Sequence, residues 1–488
     1  MMGVREPQKE LFSYQVDLDK RVRPNHPLRA IQRQIDFTFV RDEVGSHYGY
    51  NGHKSEDPAV IAKMMFLLFY DDVSSERELM RVIAERMDYL WFLGYGLDDE
   101  IPNHSVLSKA RRRWGVEVFE SFFMRIVSQC IAAGLVDGKK IHMDASLIEA
   151  NASKDSVIKG SPEWIAALKQ VYQAAESKLD DTTTPKDRVG INDRMVSATD
   201  PDAGLTRMGS GQSKPRYHHH RAVDNAHGVI TAVETTSGTI AENKKLMDLV
   251  EQHERNTDRA VETIVADSKY GTAENYVACQ QVGITTHMGN VLAKQTNNPR
   301  CLGIFPDSLF IYDTATDTYR CPGGQTLVSR RLHPVRRTME YHTARGVCAA
   351  CALHPRCTRA RYGRTIKRHE HQTLLDQARA QARSPAAYQD RRRRKHLIEG
   401  SFADAANNHG FKRARWRRLW RQQIQDYLIA TIQNVRILLK NRPQPVLTTG
   451  NTLRNVFQRL NIGVPGLSRR FRAMLCAITR YYSQWSFC

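Results

Sequence analysis

The chain has 488 residues, of which 41% are hydrophobic and 25% charged, so it has room for about two to four globular domains and is too apolar to be disordered. Its 72 Lys and Arg residues outnumber its 52 Asp and Glu residues, which leaves a net charge of +20. The longest apolar run, Met64 to Tyr70, is too short to cross a bilayer, which takes roughly 20 residues, and no apolar leader follows the early charges. We therefore expect a cytoplasmic protein that does not contact a membrane.

Residues 1–135 have the pattern of an all-helical N-terminal domain. Asp57 and Pro58 are a typical helix start, and apolar residues recur at helical spacing after them. Another helix is predicted to begin at Ser105, and its first turns are basic. Short helices closed by a basic one are typical of DNA-reading units, so we predict that this domain binds DNA. The basic residues of this helix are Lys109, Arg111, Arg112 and Arg113.

After Lys139 the pattern changes to strands that alternate with helices. The predicted elements, in chain order, are a strand at 140–145, a hairpin of two strands at 219–223 and 229–233, a helix over 241–253, a strand at 263–266, a helix over 272–281 and a strand at 284–288. This series predicts an α/β fold with a mixed sheet flanked by helices. Residues 136–297 would form the first part of this core, and helices within residues 384–441 would complete it.

Two aspartates follow strands of this predicted sheet. Asp144 ends the first strand and Asp267 the fourth, and these ends lie side by side if the two strands are neighbours. Facing carboxylates repel one another unless a cation holds them, which favours Mg²⁺. Glu399, an acidic residue within a basic helix, is the predicted third ligand, and Glu149 and Asp224 are rival candidates. Two metals held in this way would catalyse phosphoryl transfer on a phosphodiester.

The predicted core is interrupted by a polar, turn-rich insertion at residues 298–383, which contains a cluster of cysteines. Four thiolates can close a structural zinc site, and such a site would stabilise a small insertion with little core of its own. His354 is an alternative ligand, and four ordinary reduced thiols are the competing interpretation. The four cysteines are Cys321, Cys348, Cys351 and Cys357.

Most of the excess positive charge lies in one stretch. Between Arg359 and Arg421 there are 18 Lys and Arg residues against 5 acidic ones, a net charge of +13 over 63 residues. Arginine dominates the stretch and suits bidentate contacts with phosphate, so nucleic acid is the predicted partner, against the alternative of a solvated helical face. A basic C-terminal tail follows at residues 442–488. The residues predicted to contact nucleic acid in this stretch are Arg391, Arg392, Arg393, Arg394, Lys395, Lys412, Arg413, Arg415, Arg417 and Arg418.

Three motifs resemble those of a known family. They are Ile141-His142-Met143-Asp144-Ala145-Ser146, Val265-Ala266-Asp267-Ser268-Lys269-Tyr270-Gly271 and Glu399-Gly400-Ser401-Phe402-Ala403-Asp404. Together with the N-terminal helical region, they resemble the DDE transposases of bacterial insertion sequences, specifically the insertion-sequence eleven-eighty-two branch. One departure is Ala406, because many relatives carry a basic residue seven positions after the glutamate.

The resemblance implies a ribonuclease-H-like core in which Asp144, Asp267 and Glu399 bind two divalent metals, Mg²⁺ or Mn²⁺. It implies an enzyme that binds the terminal inverted repeats of its own element, cleaves the DNA ends and joins them to target DNA. Double-stranded DNA would be its partner, a homodimer or larger assembly would hold the paired ends, and the protein would be associated with the nucleoid. The alternatives are an inactive DNA-binding relative and a metal-dependent nuclease without strand transfer.

Overall fold

The computed structural model describes residues 16–49, 55–177, 195–207, 211–289 and 303–441. The predicted C-terminal tail, residues 442–488, therefore lies outside the described residues. The chain up to Lys440 forms one compact unit. No helix among the described residues combines the length and the apolar character that crossing a bilayer requires.

The described part of the first region, residues 16–49 and 55–135, contains eight α-helices. Asp57 caps the longest of the early helices by accepting a hydrogen bond from the backbone amide of Ala59, and Pro58 occupies its first turn. This helix is buried on nearly all sides because the others surround it. The helices are α1 (Leu18–Arg21), α2 (Pro27–Gln34), α3 (Phe39–Val44), α4 (Pro58–Tyr70), α5 (Glu76–Glu85), α6 (Met87–Leu93), α7 (Ser105–Trp114) and α8 (Glu117–Ala132).

The central sheet combines antiparallel and parallel strands in the order β6-β5-β1-β7-β8, with β4 paired to the start of β5. Strands β1, β7 and β8 are parallel, and β5 runs antiparallel to β1 and β6. A separate pair, β2 and β3, is antiparallel. The strands are β1 (Lys140–Glu149), β2 (Val157–Lys159), β3 (Met195–Ser197), β4 (Gly204–Arg207), β5 (Ser213–Asp224), β6 (Ile230–Ser237), β7 (Thr263–Ala266) and β8 (Thr285–Met288).

The first strand is longer than predicted. It pairs with β7 only from Lys140 to His142, but it continues beside the 12-residue strand β5 as far as Glu149. Asp144 is therefore inside β1 rather than at its end, which corrects the sequence-based expectation. The two aspartates still meet, because the parallel pairing with β7 stops just before each of them.

Helices cover the sheet and connect it to the N-terminal region. The last helix shares a hydrophobic core with the first region: the ring centroids of Phe123 and Tyr427 are 5.6 Å apart. In the segment just before this helix, the ring centroid of Trp416 lies 5.4 Å from that of Phe69. The N-terminal helices and this last helix are therefore packed as one body. The helices after β1 are α9 (Pro162–Ser177), α10 (Leu246–Thr257), α11 (Ala273–Gln281), α12 (His354–Cys357), α13 (Gln372–Gln381), α14 (Pro385–Arg394), α15 (Gly400–Asn408) and α16 (Leu419–Asn441).

The insertion forms its own antiparallel sheet, in the order β13-β12-β11-β10-β9. Its core is small and consists of five buried residues, Phe310, Tyr319, Leu327, Tyr341 and Ile366. The strands are β9 (Ile311–Asp313), β10 (Thr318–Arg320), β11 (Thr326–His333), β12 (Thr338–His342) and β13 (Ile366–His369).

Two aspartates cap the N-terminus of α16. Asp200 accepts hydrogen bonds from the backbone amide of Arg418 (3.1 Å) and the hydroxyl of Tyr217 (2.7 Å), and Asp202 accepts one from the amide of Leu419 (3.1 Å). Acidic groups are favourable at this end of a helix. Burial nevertheless raises the pKa of Asp200 to about 6, and its Oδ2 atom is buried without a partner.

We expect the Asp200→Asn variant to lose a pH dependence of stability. Because the folded-state pKa of Asp200 is about 6 against 3.8 in the unfolded chain, the folded protein binds this proton more tightly, and its contribution to stability is lost as the pH rises through 6. Between pH 5 and pH 7 the wild type should lose about 1 kcal/mol more unfolding free energy than the variant, as measured by urea unfolding. Asparagine keeps the capping oxygen, so equal losses in the two proteins would contradict the assignment.

Candidate active site

Asp144 and Asp267 meet at one edge of the central sheet. His142 on β1 is in register with Val265 on β7, and each aspartate comes two residues later on its own segment. Because the two strands are parallel neighbours, both carboxylates project at the same edge. Ligand oxygens of these two residues and of a third acid all lie within 4.8 Å of one another. The predicted meeting of the two aspartates is thus present in the structure.

The third acid is Glu242, which sequence analysis did not identify. It begins a single helical turn, Glu242–Lys245, between β6 and α10. Its side chain is 11% exposed, its Oε1 atom accepts a hydrogen bond from Lys269 Nζ (2.5 Å), and its Oε2 atom is buried without a hydrogen-bond partner. A signal was available: β6 runs in the same direction as β1, so an acid shortly after β6 can reach the edge where Asp144 lies.

Burial and mutual repulsion set the electrostatics of these carboxylates. Burial raises the pKa of Asp144, and the ion pair with Arg394 opposes this rise through an Nη1–Oδ2 contact of 2.8 Å. Burial also raises the pKa of Glu242, against the lowering effect of Lys269. Asp267 adds to the rise at both sites. A divalent cation between these carboxylates would relieve their repulsion. Their oxygen atoms are the ligands that hard cations such as Mg²⁺ prefer.

Glu399 is not part of this group of three. It ends a widened helical turn, Lys395–Glu399, that follows α14 and packs against β1, and its side chain is exposed. The helical turn that follows Glu399 is anchored by Arg221, which donates a hydrogen bond to the hydroxyl of Ser401 (2.6 Å). Glu399 therefore stays a predicted ligand, supplied from a neighbouring helix.

The two rival ligands have other partners. Glu149 accepts a hydrogen bond from Lys214 (2.9 Å) at the far end of β1. Asp224 is fully buried and accepts hydrogen bonds from the backbone amides of Gly138 (2.8 Å) and Ala226 (2.8 Å), which fixes the turn between β5 and β6. Neither belongs to the carboxylate group.

Several basic residues predicted to contact DNA have intramolecular roles instead. Arg111 is 3% exposed, forms an ion pair with Glu76 and stacks over Trp416 at 3.8 Å, so it is unavailable to a phosphate. Arg394 pairs with Asp144, as described above. Further contacts within the chain join Arg391 to the carbonyl of Ala382, Arg415 to Asp72 and Arg418 to Asp202. Arg393 and Arg417 each donate to a backbone carbonyl, that of Asn225 and that of Asn151, although both side chains are exposed.

Nine members of the predicted set are exposed, including Arg393 and Arg417. Among them, Lys412 lies beside the carboxylates: its Nζ atom donates to the hydroxyl of Ser146 (2.7 Å), which is two residues after Asp144 and on the same face of β1. The exposed residues are Lys109, Arg112, Arg113, Arg392, Arg393, Lys395, Lys412, Arg413 and Arg417.

Two family models match the chain. Residues 16–113 match the family described as "Transposase domain (DUF772)", and residues 320–439 match the family described as "Transposase DDE domain". Glu399 lies within the second match, whereas Asp144, Glu242 and Asp267 lie between the two. These matches support a transposase, an enzyme of the nuclease and transposase type. No curated protein matches the chain.

Solved transposase structures are also similar to the chain, at low identity. The Mos1 transposase paired-end complex with left transposon end is 10% identical, with a TM-score of 0.16, and the match covers 51% of this chain and 64% of that one. A piggyBac transposase synaptic complex with hairpin DNA is 11% identical, with a TM-score of 0.25, and the match covers 90% of this chain and 84% of that one. These scores are too low to support a conclusion about the site.

Proposed function

We propose that this protein is a DNA transposase of a bacterial insertion sequence, of the eleven-eighty-two branch, that binds terminal inverted repeats, cleaves the DNA ends and joins them to target DNA. The observation that carries the proposal is that Asp144 and Asp267 come together where the parallel pairing of β1 and β7 stops. The sheet order β6-β5-β1-β7-β8 supports a ribonuclease-H-like core. Paired DNA ends require at least two copies of the chain, and DNA as the partner would place it at the nucleoid.

The residues present fit a divalent metal. Asp144, Glu242 and Asp267 would hold Mg²⁺ or Mn²⁺, and Glu399 would add a carboxylate from the turn after α14. The buried, unpartnered Oε2 atom of Glu242 supports this fit, because such an atom is costly unless a ligand satisfies it. When bound, two metals supply activation of the attacking oxygen and stabilisation of the leaving oxygen in an in-line displacement.

The protein's own residues position the DNA and keep the acids charged. Arg394 and Lys269 are the cations in direct contact with Asp144 and Glu242, and both favour the ionised carboxylates. Lys412, beside Ser146, would receive a phosphate next to the scissile bond. Lys395 and Arg392 are exposed around the turn that carries Glu399, so they would bind the backbone of the same DNA.

The test is a reaction with DNA that carries the ends of the element plus a target plasmid, with Mg²⁺ or with chelator, beside the Asp144→Asn variant. Joined products that require both metal and Asp144 support the transposase. Cleavage without joining supports the nuclease alternative, and end binding without cleavage supports the inactive DNA-binding relative. Either of the last two results would overturn the proposal.

The Glu242→Gln variant should show whether the third acid takes part. Glutamine keeps the size of the side chain and removes its charge, so we expect cleavage to fall about 10- to 100-fold, with a higher Mg²⁺ concentration at half-maximal rate. The matched control is Glu274→Gln, since Glu274 also contacts a lysine but is 75% exposed on α11. Equal activity of the two variants would assign Glu242 only a structural role.

DNA binding should be strongly dependent on salt. If the exposed basic residues make about 6–10 phosphate contacts, affinity for the DNA ends should fall about 10³- to 10⁵-fold between 50 and 200 mM salt. Replacing exposed Lys395 by Gln should reduce the slope of log affinity against log salt by about 1. Fluorescence anisotropy across a salt series measures both, and an affinity that does not respond to salt would contradict phosphate-based binding.

A further inference from the structure

The insertion contains a cavity that its cysteines share. It lies beside the small five-stranded sheet, and aromatic and aliphatic side chains enclose it together with sulfur atoms. All four cysteines in the described part of the insertion line this one cavity, although they come from three separate segments of the chain. They are Cys321, Cys348, Cys351 and Cys357.

The turn after β10 prepares Cys321 as a ligand. The backbone amide of Gln325 donates to Cys321 Sγ (3.3 Å), and the amide of Gly324 donates to the carbonyl of Cys321 (2.9 Å). The thiolate is the form of cysteine that binds metal, and the amide of Gln325 is placed to donate to this sulfur. A Cβ atom added at Gly323 would lie 3.5 Å from Cys351 Sγ and 3.7 Å from Cys321 Sγ. Both sulfur atoms therefore face the same small space beside this glycine.

The cavity brings the other thiols to the same place. Cys348, Cys351 and Cys357 line it together with Cys321, and Cys357 packs against the small core. Four thiolates at one cavity repel one another unless a cation holds them. A soft divalent cation is the partner that removes this repulsion.

The insertion also needs an additional source of stability. Its sheet rests on five buried residues, and Cys321 and Cys357 pack against this core. Cores of this size are seldom sufficient without disulfides or metals. No three of the sulfurs lie within 4.8 Å of one another, whereas Zn–S bonds of about 2.3 Å place sulfurs roughly 3.8 Å apart, so metal binding would turn the side chains further into the cavity.

We propose that Cys321, Cys348, Cys351 and Cys357 form a tetrahedral structural zinc site that fastens the turn between β10 and β11 to the segment between β12 and β13. The site is independent of the carboxylates on the central sheet, and it takes no part in the proposed strand transfer. His354 lines the same cavity with a buried Nε2 atom that lacks a partner, and the test separates it from the four thiols.

The experiment measures zinc in the purified full-length protein after chelation of loose metal and gel filtration. We expect about one zinc per chain in the wild type, and less than about a tenth of that in the Cys348→Ser and Cys351→Ser variants. The matched control is Cys279→Ser, because Cys279 is a buried free thiol on α11, outside the insertion. An Asp144→Asn, Asp267→Asn double variant should retain the zinc, which excludes binding at the carboxylates.

A second measurement covers variants that fail to fold. Replacing zinc in the wild type by Co²⁺ should give the thiolate charge-transfer absorption of a tetrahedral site, and a His354→Gln variant should leave the spectrum unchanged. Loss of zinc in His354→Gln would overturn the four-cysteine ligand set. The site itself would be overturned if the wild-type protein contained no stoichiometric zinc and also gave no Co²⁺-thiolate spectrum. These results are independent of whether DNA is cleaved.

Discussion

The Asp144→Asn variant is expected to lose DNA cleavage and joining while it keeps DNA binding. Asparagine has the same shape, but it supplies no negative charge to a metal and cannot replace a carboxylate in the group with Glu242 and Asp267. Metal-ion stabilisation of a transition state contributes several kcal/mol, and each 1.4 kcal/mol is about tenfold in rate. We therefore expect cleavage to fall at least about 100-fold, measured as the initial rate on DNA with the element's ends.

The matched control for this variant is Asp376→Asn. Asp376 also pairs with one arginine, Arg379 at 2.9 Å, but it is 58% exposed on α13 and lies outside the carboxylate group. The control should cleave at the wild-type rate. Cleavage by the Asp144→Asn variant within about threefold of the control would show that the chemistry does not depend on this edge of the sheet.

The Arg221→Met variant should be strongly destabilised, with a loss of about 3–5 kcal/mol in unfolding free energy, because breaking a buried charge network leaves its other members uncompensated. Arg221 is fully buried beneath the turn that carries Ser401, and burial lowers its pKa to about 9. It donates from Nε to His219 (2.9 Å) and from Nη1 to Ser401 (2.6 Å) and Gln433 (3.1 Å).

Its removal would also leave a buried acid without a nearby cation. Asp426 is fully buried and contacts His219, whose pKa burial lowers to about 4, so His219 is neutral near pH 7 and Arg221 is the cation of the group. Urea unfolding measures the loss, with Arg255→Met as the control. Arg255 pairs with Glu120 but is 61% exposed, so its replacement should cost less than about 1 kcal/mol. Equal losses in the two variants would contradict a charge network at Arg221.

The pattern of apolar residues along the sequence was sufficient to predict the main strands of the central sheet. Alternating and buried apolar runs predicted β1, the β5–β6 hairpin, β7 and β8, because strand periodicity depends on neighbours along the chain. Each aspartate comes soon after such a run, so their meeting followed from strand order alone. The length of β1 was underestimated, because its second half is held by β5, whose Arg216 pairs with Glu149 from 67 positions away.

The basic residues show the opposite case. Their charge suggested one DNA-binding surface, but charge along the chain does not reveal which side chains will be enclosed. Arg394 neutralises Asp144 across 250 positions, and Arg111 is enclosed between Glu76 and Trp416. Partners this distant are chosen by packing, so only the exposed members of the predicted set stay in the DNA-binding proposal.

The sequence by itself determined the mixed sheet, the two aspartates that meet on it and the cluster of cysteines in the insertion, since each depends on local pattern and spacing. Only the tertiary structure decided that Glu242 is the third acid within 4.8 Å, because its position depends on the direction of β6 and on the turn that follows it. The same holds for the positive charge, because some of the 72 Lys and Arg side chains pair with acids inside the fold. Burial makes an unpaired charge costly, and it is the folded chain that determines which charges are buried.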